Sequence, residues 1–290
     1  MIDRRSFLQH SAWLMAGTGM ASLLQCAPTP PPVQETTQKA PFGIQLYTLR
    51  DQVGNGFKAL VENLASFGYT QIESFEGPQG FLWGMEAQAC RQLFDDLGLR
   101  MVASHCDINT DFERKIDTAL EMGMDYLICP YIGPQSSLDD FKKWADVFNE
   151  KGKQCKEKGI RFAYHNHDYS FKELEGQLPQ VLLMENTDPE LVDFELDMYW
   201  AVHAGQDPLA WMKQYPGRFT LAHVKDRSKM PLESGEYASV DLGTGSIDYA
   251  AIVPEARKMG MKYLLVEQEY YPNGSSLEAA KVDAAFMQNL

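Results

Sequence analysis

Residues 161–168 carry the side chains best suited to chemistry, because two histidines, an asparagine and an aspartate directly follow bulky, strand-favouring residues. His165 and His167 are two residues apart, so in an extended chain they point the same way, and Asn166 and Asp168 point the other way. Two imidazoles on one side of a strand end can bind a divalent metal or transfer protons near neutral pH. Taken alone, the two histidines are equally well explained as a pair on a surface loop.

A repeated unit predicts which elements position these residues. An amphipathic helix, a glycine, an apolar strand and a polar residue follow one another five times, and the glycines are Gly68, Gly98, Gly123, Gly159 and Gly260. Glycine there is typical of the left-handed residue that ends a helix. Three further strands, within 42–47, 192–197 and 219–225, lack that glycine.

The sequence therefore predicts eight strands alternating with helices such as 57–67, 85–97 and 138–158. Alternating strands and helices indicate parallel strands joined by right-handed crossovers. Eight such units in about 250 residues are the size of a closed (β/α)8 TIM barrel, which we predict as a single domain. A doubly wound open sheet is the alternative, and the absence of Gly-x-Gly-x-x-Gly after the first strand disfavours its dinucleotide-binding form.

Chemically active residues recur at the carboxyl ends of the predicted strands, where barrels of this type carry their active sites. The strand ends in chain order are Tyr47, Glu73, His105, Pro130, His165 with His167, Asp197, His223 and Glu267. Carboxylates and imidazoles from neighbouring strands make a site for manganese, magnesium, zinc or cobalt. One such ion stabilises negative charge on a carbonyl oxygen, so that a side chain within reach can remove the adjacent proton on carbon.

Residues 42–288 resemble the sugar phosphate isomerase/epimerase family with the xylose-isomerase-like barrel. The resemblance rests on the motifs at 164–168, 195–200 with 204–208, 222–226 and 266–268. It implies one divalent metal held by Asp197, His223 and Glu267, with His165 in the fifth-strand place where the family has a glutamate. It also implies that residues at the metal site act as general acid and general base, and we expect these to be Glu267 with His165 or His167.

The same resemblance implies that further residues at the mouth bind substrate. We expect this role for Tyr47, Glu73, His105, Asn166, Trp200, Lys225 and Asp226. Lys225 and Asp226 are as well explained by a salt bridge in solvent, and Trp200 by packing under the barrel rim. The endonuclease branch of the family is disfavoured, because its Glu-Asn signature is absent and the chain is acidic.

The N-terminus predicts export. Residues 1–26 combine Arg4 and Arg5, a short apolar run and a lipoprotein-like box ending at Cys26, and residues 27–41 form a Pro-rich tether before the barrel at 42–290. We expect a periplasmic or membrane-anchored lipoprotein that touches the membrane only through this anchor; a cytosolic N-terminal helix is the alternative. The four later cysteines form no Cys-x-x-Cys pair and are expected to be buried free thiols.

The charge of the chain indicates which class of partner it can bind. The net charge of −14 repels nucleic acid and anionic lipid, which favours a small molecule. We therefore expect a metal-dependent isomerase or epimerase that removes a proton next to the carbonyl of a non-phosphorylated sugar or keto-sugar, as a monomer or a homo-oligomer. The alternatives are a keto-sugar dehydratase or lyase, like inosose dehydratase or a 3-keto-glycoside lyase, and a non-catalytic sugar-binding lipoprotein.

Overall fold

The structure is a computed structural model and describes residues 40–290. The predicted export signal and all but the last two residues of the predicted tether lie outside the described residues. The barrel has eight strands: β1 (Gly43–Gln45), β2 (Gln71–Phe75), β3 (Arg100–His105), β4 (Tyr126–Cys129), β5 (Arg161–His165), β6 (Val192–Asp197), β7 (Phe219–Val224) and β10 (Tyr263–Val266). They are parallel and close in the order β1-β10-β7-β6-β5-β4-β3-β2. The predicted (β/α)8 barrel is confirmed.

Helices connect the strands on the outside of the barrel. They are α1 (Val53–Phe67), α2 (Ala87–Leu97), α3 (Phe112–Met122), α4 (Leu138–Lys158), α5 (Pro179–Asn186), α6 (Met198–His203), α7 (Pro208–Gln214), α8 (Tyr249–Lys258) and α9 (Ser276–Met287). The first four end, as predicted, at a left-handed glycine: Gly68, Gly98, Gly123 and Gly159. None of the described helices is long and apolar enough to cross a membrane.

Two local features were not predicted. The first strand ends at Gln45, and Tyr47 lies in the one-turn 3-10 helix Leu46–Leu49 instead of in a strand. The second is a small antiparallel pair, β8 (Asp226–Arg227) with β9 (Ser239–Val240), just beyond β7. Both features shape the mouth of the barrel rather than its wall.

Side chains inside the barrel change from apolar to polar towards the carboxyl ends of the strands. A separate buried cluster fills the lower interior and includes Ala163, Leu221 and Leu265. Because inward-facing residues alternate along a strand, the next inward residues are His165, His223 and Glu267. The larger core lies between the strands and the helices and contains Cys90, Cys106, Cys129 and Cys155, which are free thiols as predicted.

Helix α9 carries a buried acid that makes stability depend on pH. The Asp283 carboxylate accepts a hydrogen bond from the backbone N–H of Leu242 at 2.8 Å, and its Oδ2 atom has no partner. Burial, with a contribution from the carboxylate of Asp241, raises the pKa of Asp283 to about 8. The unfolded chain loses this proton near pH 4, so between pH 4 and 8 the folded state binds more protons than the unfolded state.

We therefore expect stability to fall as pH rises through this window, and Asp283→Asn to remove that part of the dependence. At pH 8 the variant is expected to be more stable than the wild type by up to about 5 kcal/mol, because a shift of four pKa units is worth that much and the asparagine buries no charge. Urea unfolding of both proteins at pH 5 and pH 8 measures the difference. An identical pH dependence in the two proteins would contradict the assignment.

Candidate active site

A cavity of about 420 Å³ opens at the carboxyl ends of the barrel strands, a size usual for small-molecule sites. The structure brings six predicted site residues to its wall: Tyr47, His105, His165, His167, Trp200 and Glu267. Carboxylates of Glu76, Asp107 and Glu269 also line it. The predicted convergence of strand ends on one mouth is present in the structure.

Four acidic or basic residues lie beneath the cavity floor with no exposed surface: Glu73, Glu195, Asp197 and His223. They reach the barrel axis from β2, β6 and β7. Charged groups are rarely buried completely unless they are paired or bind an ion. These four residues must therefore pair with one another or with a bound ion.

Asp197, His223 and Glu267 offer ligand atoms that all lie within 4.8 Å of one another. The Nδ1 atom of His223 is 3.7 Å from Asp197 Oδ2 and 3.3 Å from Glu267 Oε2, and His165 Nε2 is 3.8 Å from the same Asp197 oxygen. Ligands on one ion at about 2.1 Å are separated by about 3–3.5 Å, close to these distances.

The Asp197 carboxylate has one oxygen atom that is available to bind a cation. Its Oδ1 atom accepts a hydrogen bond from the N–H of Trp200 and so begins α6, whereas Oδ2 is buried without a partner. Orphaned buried carboxylate oxygens are costly, and a bound cation removes that cost. Asp197, His223 and Glu267 therefore form a chemically suitable group of ligands. His165, the fourth predicted ligand, approaches the same Asp197 oxygen but lies outside the group whose ligand atoms are all within 4.8 Å of one another.

A second group shares two of these histidines and contains a residue that the sequence analysis missed. His105, His165, Glu195 and His223 also bring ligand atoms within 4.8 Å of one another. Glu195 Oε2 lies 2.7 Å from His105 Nε2 and 3.1 Å from His165 Nδ1. Its position two residues before Asp197 on the same strand was the available signal, since both side chains then face the barrel axis.

Asn166, Glu73 and Asp226 were predicted to bind substrate, but in the structure their side chains bind other groups of the protein. Asn166 uses both ends of its side-chain amide on the backbone of Asp197, accepting from N–H and donating to C=O. Glu73 is fully buried behind His223 and accepts a hydrogen bond from the side chain of Gln45 at 2.7 Å. These two residues position the site from beneath the cavity.

Asp226 is the third residue that was predicted to bind substrate and that binds protein groups instead. Its carboxylate accepts hydrogen bonds from the backbone N–H groups of Arg227, Gly243, Gly245 and Ile247 at 2.8–3.1 Å. All of its acceptor positions thus hold the loop that leads into α8, so the prediction that Asp226 binds substrate is corrected to a structural role.

Lys225 is almost completely buried beside the predicted metal group. Its Nζ atom donates to Glu267 Oε2 at 3.0 Å, pairs with Glu269, and lies 5.1 Å from the ring centres of Tyr199 and Trp200. Burial alone would lower its pKa, but the nearby carboxylates of Glu267 and Asp197 raise it. The residue is a fixed positive charge, and its predicted contact with substrate hydroxyls stays a prediction.

The two histidines of the 165–167 pair differ in their surroundings. His165 points its Nε2 atom at Asp197, whereas His167 lies on the cavity wall against Tyr131 and Trp200, with ring centres 5.0 and 5.5 Å away. Burial lowers the pKa of His167 to about 4, and it lowers that of His165 well below the usual range, assisted by His223. Both imidazoles are therefore neutral at pH 7 and can accept a proton or a metal.

The pKa values of two carboxylic acids of the site, Glu73 and Glu267, are shifted in opposite directions. Burial, reinforced by the charge of Glu195, raises the pKa of Glu73 to about 7. Burial would also raise the pKa of Glu267, but Lys225 and His223 outweigh it and hold that pKa well below the usual range. Glu267 is therefore ionised throughout the neutral range, as a metal ligand must be.

Known proteins share the sequence pattern of this chain. The sequence model of the xylose isomerase-like TIM barrel family matches residues 61–290. Inosose dehydratase 2 of Bacillus cereus is 33% identical over 93 residues, which cover 32% of this chain and 30% of that protein. Inosose dehydratase of Clostridium perfringens is 29% identical over 147 residues, covering 46% and 49%. The chain thus spans about a third to a half of these relatives.

A solved structure shares the fold over almost the whole barrel. A sugar phosphate isomerase/epimerase from Parabacteroides distasonis ATCC 8503 matches with a TM-score of 0.74 and 28% sequence identity. The match covers 90% of this chain and 98% of the other. Sequence and fold therefore agree on one group of sugar-modifying enzymes.

Proposed function

Because the chain belongs to the xylose isomerase-like TIM barrel family, we propose that it is a metal-dependent enzyme that removes a proton next to the carbonyl of a non-phosphorylated keto-sugar. The observation that carries this proposal is the group of Asp197, His223 and Glu267 at ligand spacing, with Glu267 on the cavity wall and the other two residues directly beneath it. A protein that only binds sugars has no need for this buried arrangement.

The metal would be held by His165, Asp197, His223 and Glu267. Two imidazole nitrogens among four ligands favour zinc, cobalt or manganese over magnesium, which prefers oxygen ligands. When bound, such an ion supplies a Lewis acid that stabilises negative charge on the carbonyl oxygen of the substrate. Lys225, which lies 4.0 Å from Asp197 Oδ2, adds a second positive charge near this point.

His167 is suited to move the proton. It lines the cavity, is neutral at pH 7, and has a buried Nδ1 atom without a partner. Glu267 also lines the cavity but is held ionised by Lys225 and His223, which makes it a weaker base. We therefore assign proton abstraction or delivery at carbon to His167, with Glu267 as metal ligand and second proton carrier.

The cavity wall favours an uncharged substrate. Glu76, Asp107, Glu267 and Glu269 line it, and among the described residues on that wall none is lysine or arginine. Lys225 and Lys115 lie behind this wall and are already paired with Glu267, Glu269 and Glu76, so among the residues that the structure describes no cation faces the cavity to bind a phosphate group. This supports a free or oxidised sugar, and it fits the export that the N-terminus predicts.

Two outcomes can follow proton removal. Return of the proton gives isomerisation or epimerisation, and loss of a group from the next carbon gives elimination. Elimination is supported by the two relatives named inosose dehydratases and by histidine at the place of the fifth-strand glutamate. The solved relative named isomerase/epimerase supports the first outcome.

Turnover of inososes and 3-keto-glycosides in D₂O tests the proposal. We expect the metal-loaded protein to incorporate deuterium next to the carbonyl, with the metal-free protein as control. Exchange with an otherwise unchanged mass identifies an isomerase, whereas loss of water or of the aglycone identifies a lyase. Binding of these sugars without exchange or bond cleavage would contradict catalysis and favour a sugar-binding protein.

A further inference from the structure

Two fully buried carboxylates stand behind the histidines of the proposed metal site. Glu73 Oε1 lies 2.8 Å from His223 Nε2, and Glu195 Oε2 lies 3.1 Å from His165 Nδ1. Both distances are hydrogen-bond lengths, and neither carboxylate has exposed surface. Each contact uses the ring nitrogen that faces away from Asp197.

A neutral imidazole carries one N–H, and the hydrogen bond made by one nitrogen determines whether the other has a free lone pair. Glu73 Oε1 already accepts from the side-chain amide of Gln45, so it acts as an acceptor towards His223 as well. Burial would lower the pKa of His223, but the carboxylates of Glu195 and Glu267 raise it well above the usual value, so the metal-free ring at pH 7 carries a proton on each nitrogen. Because Glu73 holds the proton on Nε2, a metal ion displaces the proton on Nδ1 and binds the lone pair there. His165 carries its proton on Nδ1 and has its lone pair on Nε2.

The two nitrogens that would bind the metal point to the same oxygen. His223 Nδ1 and His165 Nε2 lie 3.7 and 3.8 Å from Asp197 Oδ2, the buried carboxylate oxygen that has no hydrogen-bond partner. Opposite tautomers in the two rings are therefore required if both are to bind one ion beside this oxygen.

We propose that Glu73 and Glu195 are positioning residues that fix His223 and His165 in opposite tautomers, so that both rings bind the same metal ion. This inference rests on the proposed function, which supplies the ion. Carboxylates behind metal-binding histidines fix ring orientation and increase the basicity of the ligand nitrogen. Because this chain has histidine at the fifth-strand position, it needs the second carboxylate, Glu195.

His105 joins the two carboxylates. Its Nε2 atom lies 2.7 Å from Glu195 Oε2 and 3.3 Å from Glu73 Oε1, and its ring stacks on His223 with centres 5.4 Å apart. One N–H between two acceptors reduces the repulsion between them. Gln45 holds Glu73 from the other side, so both acceptors have fixed positions.

A second ion among His105, His165, Glu195 and His223 is the competing interpretation of these contacts. It would need His223 Nε2 and His165 Nδ1 as ligands. Within this group Glu195 Oε2 lies 3.1 Å from His165 Nδ1 and 3.4 Å from His223 Nε2, which fits either interpretation, but only 2.7 Å from His105 Nε2. The last distance is shorter than the spacing of two ligands on one ion, and His223 Nε2 is already 2.8 Å from Glu73, which is outside the group. These two short contacts match hydrogen bonds instead.

Nitrogen-15 NMR of histidine rings in the metal-free full chain, followed to alkaline pH until His223 has lost one of its two protons, tests the inference directly. We expect His223 to be protonated on Nε2 and His165 on Nδ1 in the wild type. Glu73→Leu should give a mixture of His223 tautomers and weaken zinc binding, measured by competition with a chromophoric chelator, by about 10–100-fold. Glu73→Gln, which keeps an acceptor oxygen, should restore most of the affinity.

Matched variants keep the test decisive. Glu76→Gln removes a carboxylate from the wall of the same cavity without touching these histidines, and it should leave tautomers and zinc affinity unchanged. If Glu73→Leu does not fold, Gln45→Leu releases Glu73 instead and should shift the His223 tautomer in the same direction.

The possible failures are distinguishable. Reversed tautomers in the wild type, unchanged tautomers in folded Glu73→Leu, or two zinc ions per chain would overturn the inference and leave the proposed function standing. Expected tautomers in a protein that binds no zinc, cobalt or manganese would support the positioning role and overturn the metal-dependent function.

Discussion

Replacing Asp197 by alanine is expected to remove both the bound metal and the activity. Asp197 Oδ2 faces His165, His223 and Lys225 together, at 3.7–4.0 Å. Without it, the two ring nitrogens assigned to the metal, His165 Nε2 and His223 Nδ1, no longer share a carboxylate oxygen. If the ion supplies several kcal/mol of transition-state stabilisation, its loss lowers kcat/KM by about a thousandfold or more.

The alanine variant also loses a helix cap, so a second substitution separates the two roles. Asp197 Oδ1 begins α6 by accepting from Trp200, and Asp197→Asn keeps an oxygen for this bond while removing the negative charge. We expect the asparagine variant to fold with near wild-type stability and still lose the metal. Asp207→Asn, at the start of α7 and away from the site, is the matched control for a cap alone.

Metal content by mass spectrometry, thermal unfolding and turnover are the three measurements. An asparagine variant that keeps one metal per chain and full turnover would show that the ion does not use Asp197. Loss of metal together with loss of folding in both variants would instead assign Asp197 a structural role.

The fold could be predicted because its signals are local. A helix that ends in glycine and is followed by an apolar strand recurs along the chain, and each copy is specified by a few neighbouring residues such as those around Gly68 and Gly159. Barrel closure then follows from the number of units. The structure confirmed the barrel, and the start of α1 and the end of β1 differed by a few residues.

Site residues deep inside the barrel were harder to predict from the sequence than those at its rim. Strand-end residues such as His223 and Glu267 were found because polar residues after an apolar run are conspicuous. Glu195 and Gln45 lie one inward position earlier, where a barrel interior is usually apolar, and only the alternation of side chains along β6 and β1 indicates them. A charged residue at that depth is intelligible only once its histidine partners on other strands are known.

Side-chain direction beyond a strand end was not predictable from spacing. Asn166 directly follows β5 and Asp226 lies two residues beyond β7, where substrate-binding residues are often found, yet both bind backbone groups. The partners of Asp226 lie up to 21 residues away in sequence, in a loop whose course depends on the β8–β9 pair. Contacts of that separation are set by tertiary structure.

Asp226→Ala is expected to destabilise the protein by about 3 kcal/mol or more, without a direct effect on chemistry. The substitution leaves three N–H groups of the loop, those of Gly243, Gly245 and Ile247, without their acceptor, and each unpaired buried donor costs about 1–3 kcal/mol. The carboxylate fits this loop tightly, since a Cβ atom on Gly245 would lie 2.2 Å from Asp226 Oδ1. The loss should therefore not be repaired by local rearrangement.

Urea unfolding and amide hydrogen exchange measure this effect, and Asp248→Ala is its matched control. Asp248 begins α8 in the same loop through a single exposed bond to Ala251, so its removal should cost only about 1 kcal/mol. In Asp226→Ala we expect faster exchange at positions 243, 245 and 247, with metal content retained. A variant of wild-type stability that had lost only its affinity for sugar would restore the substrate-binding role predicted from the sequence, because the loop would then not depend on this carboxylate.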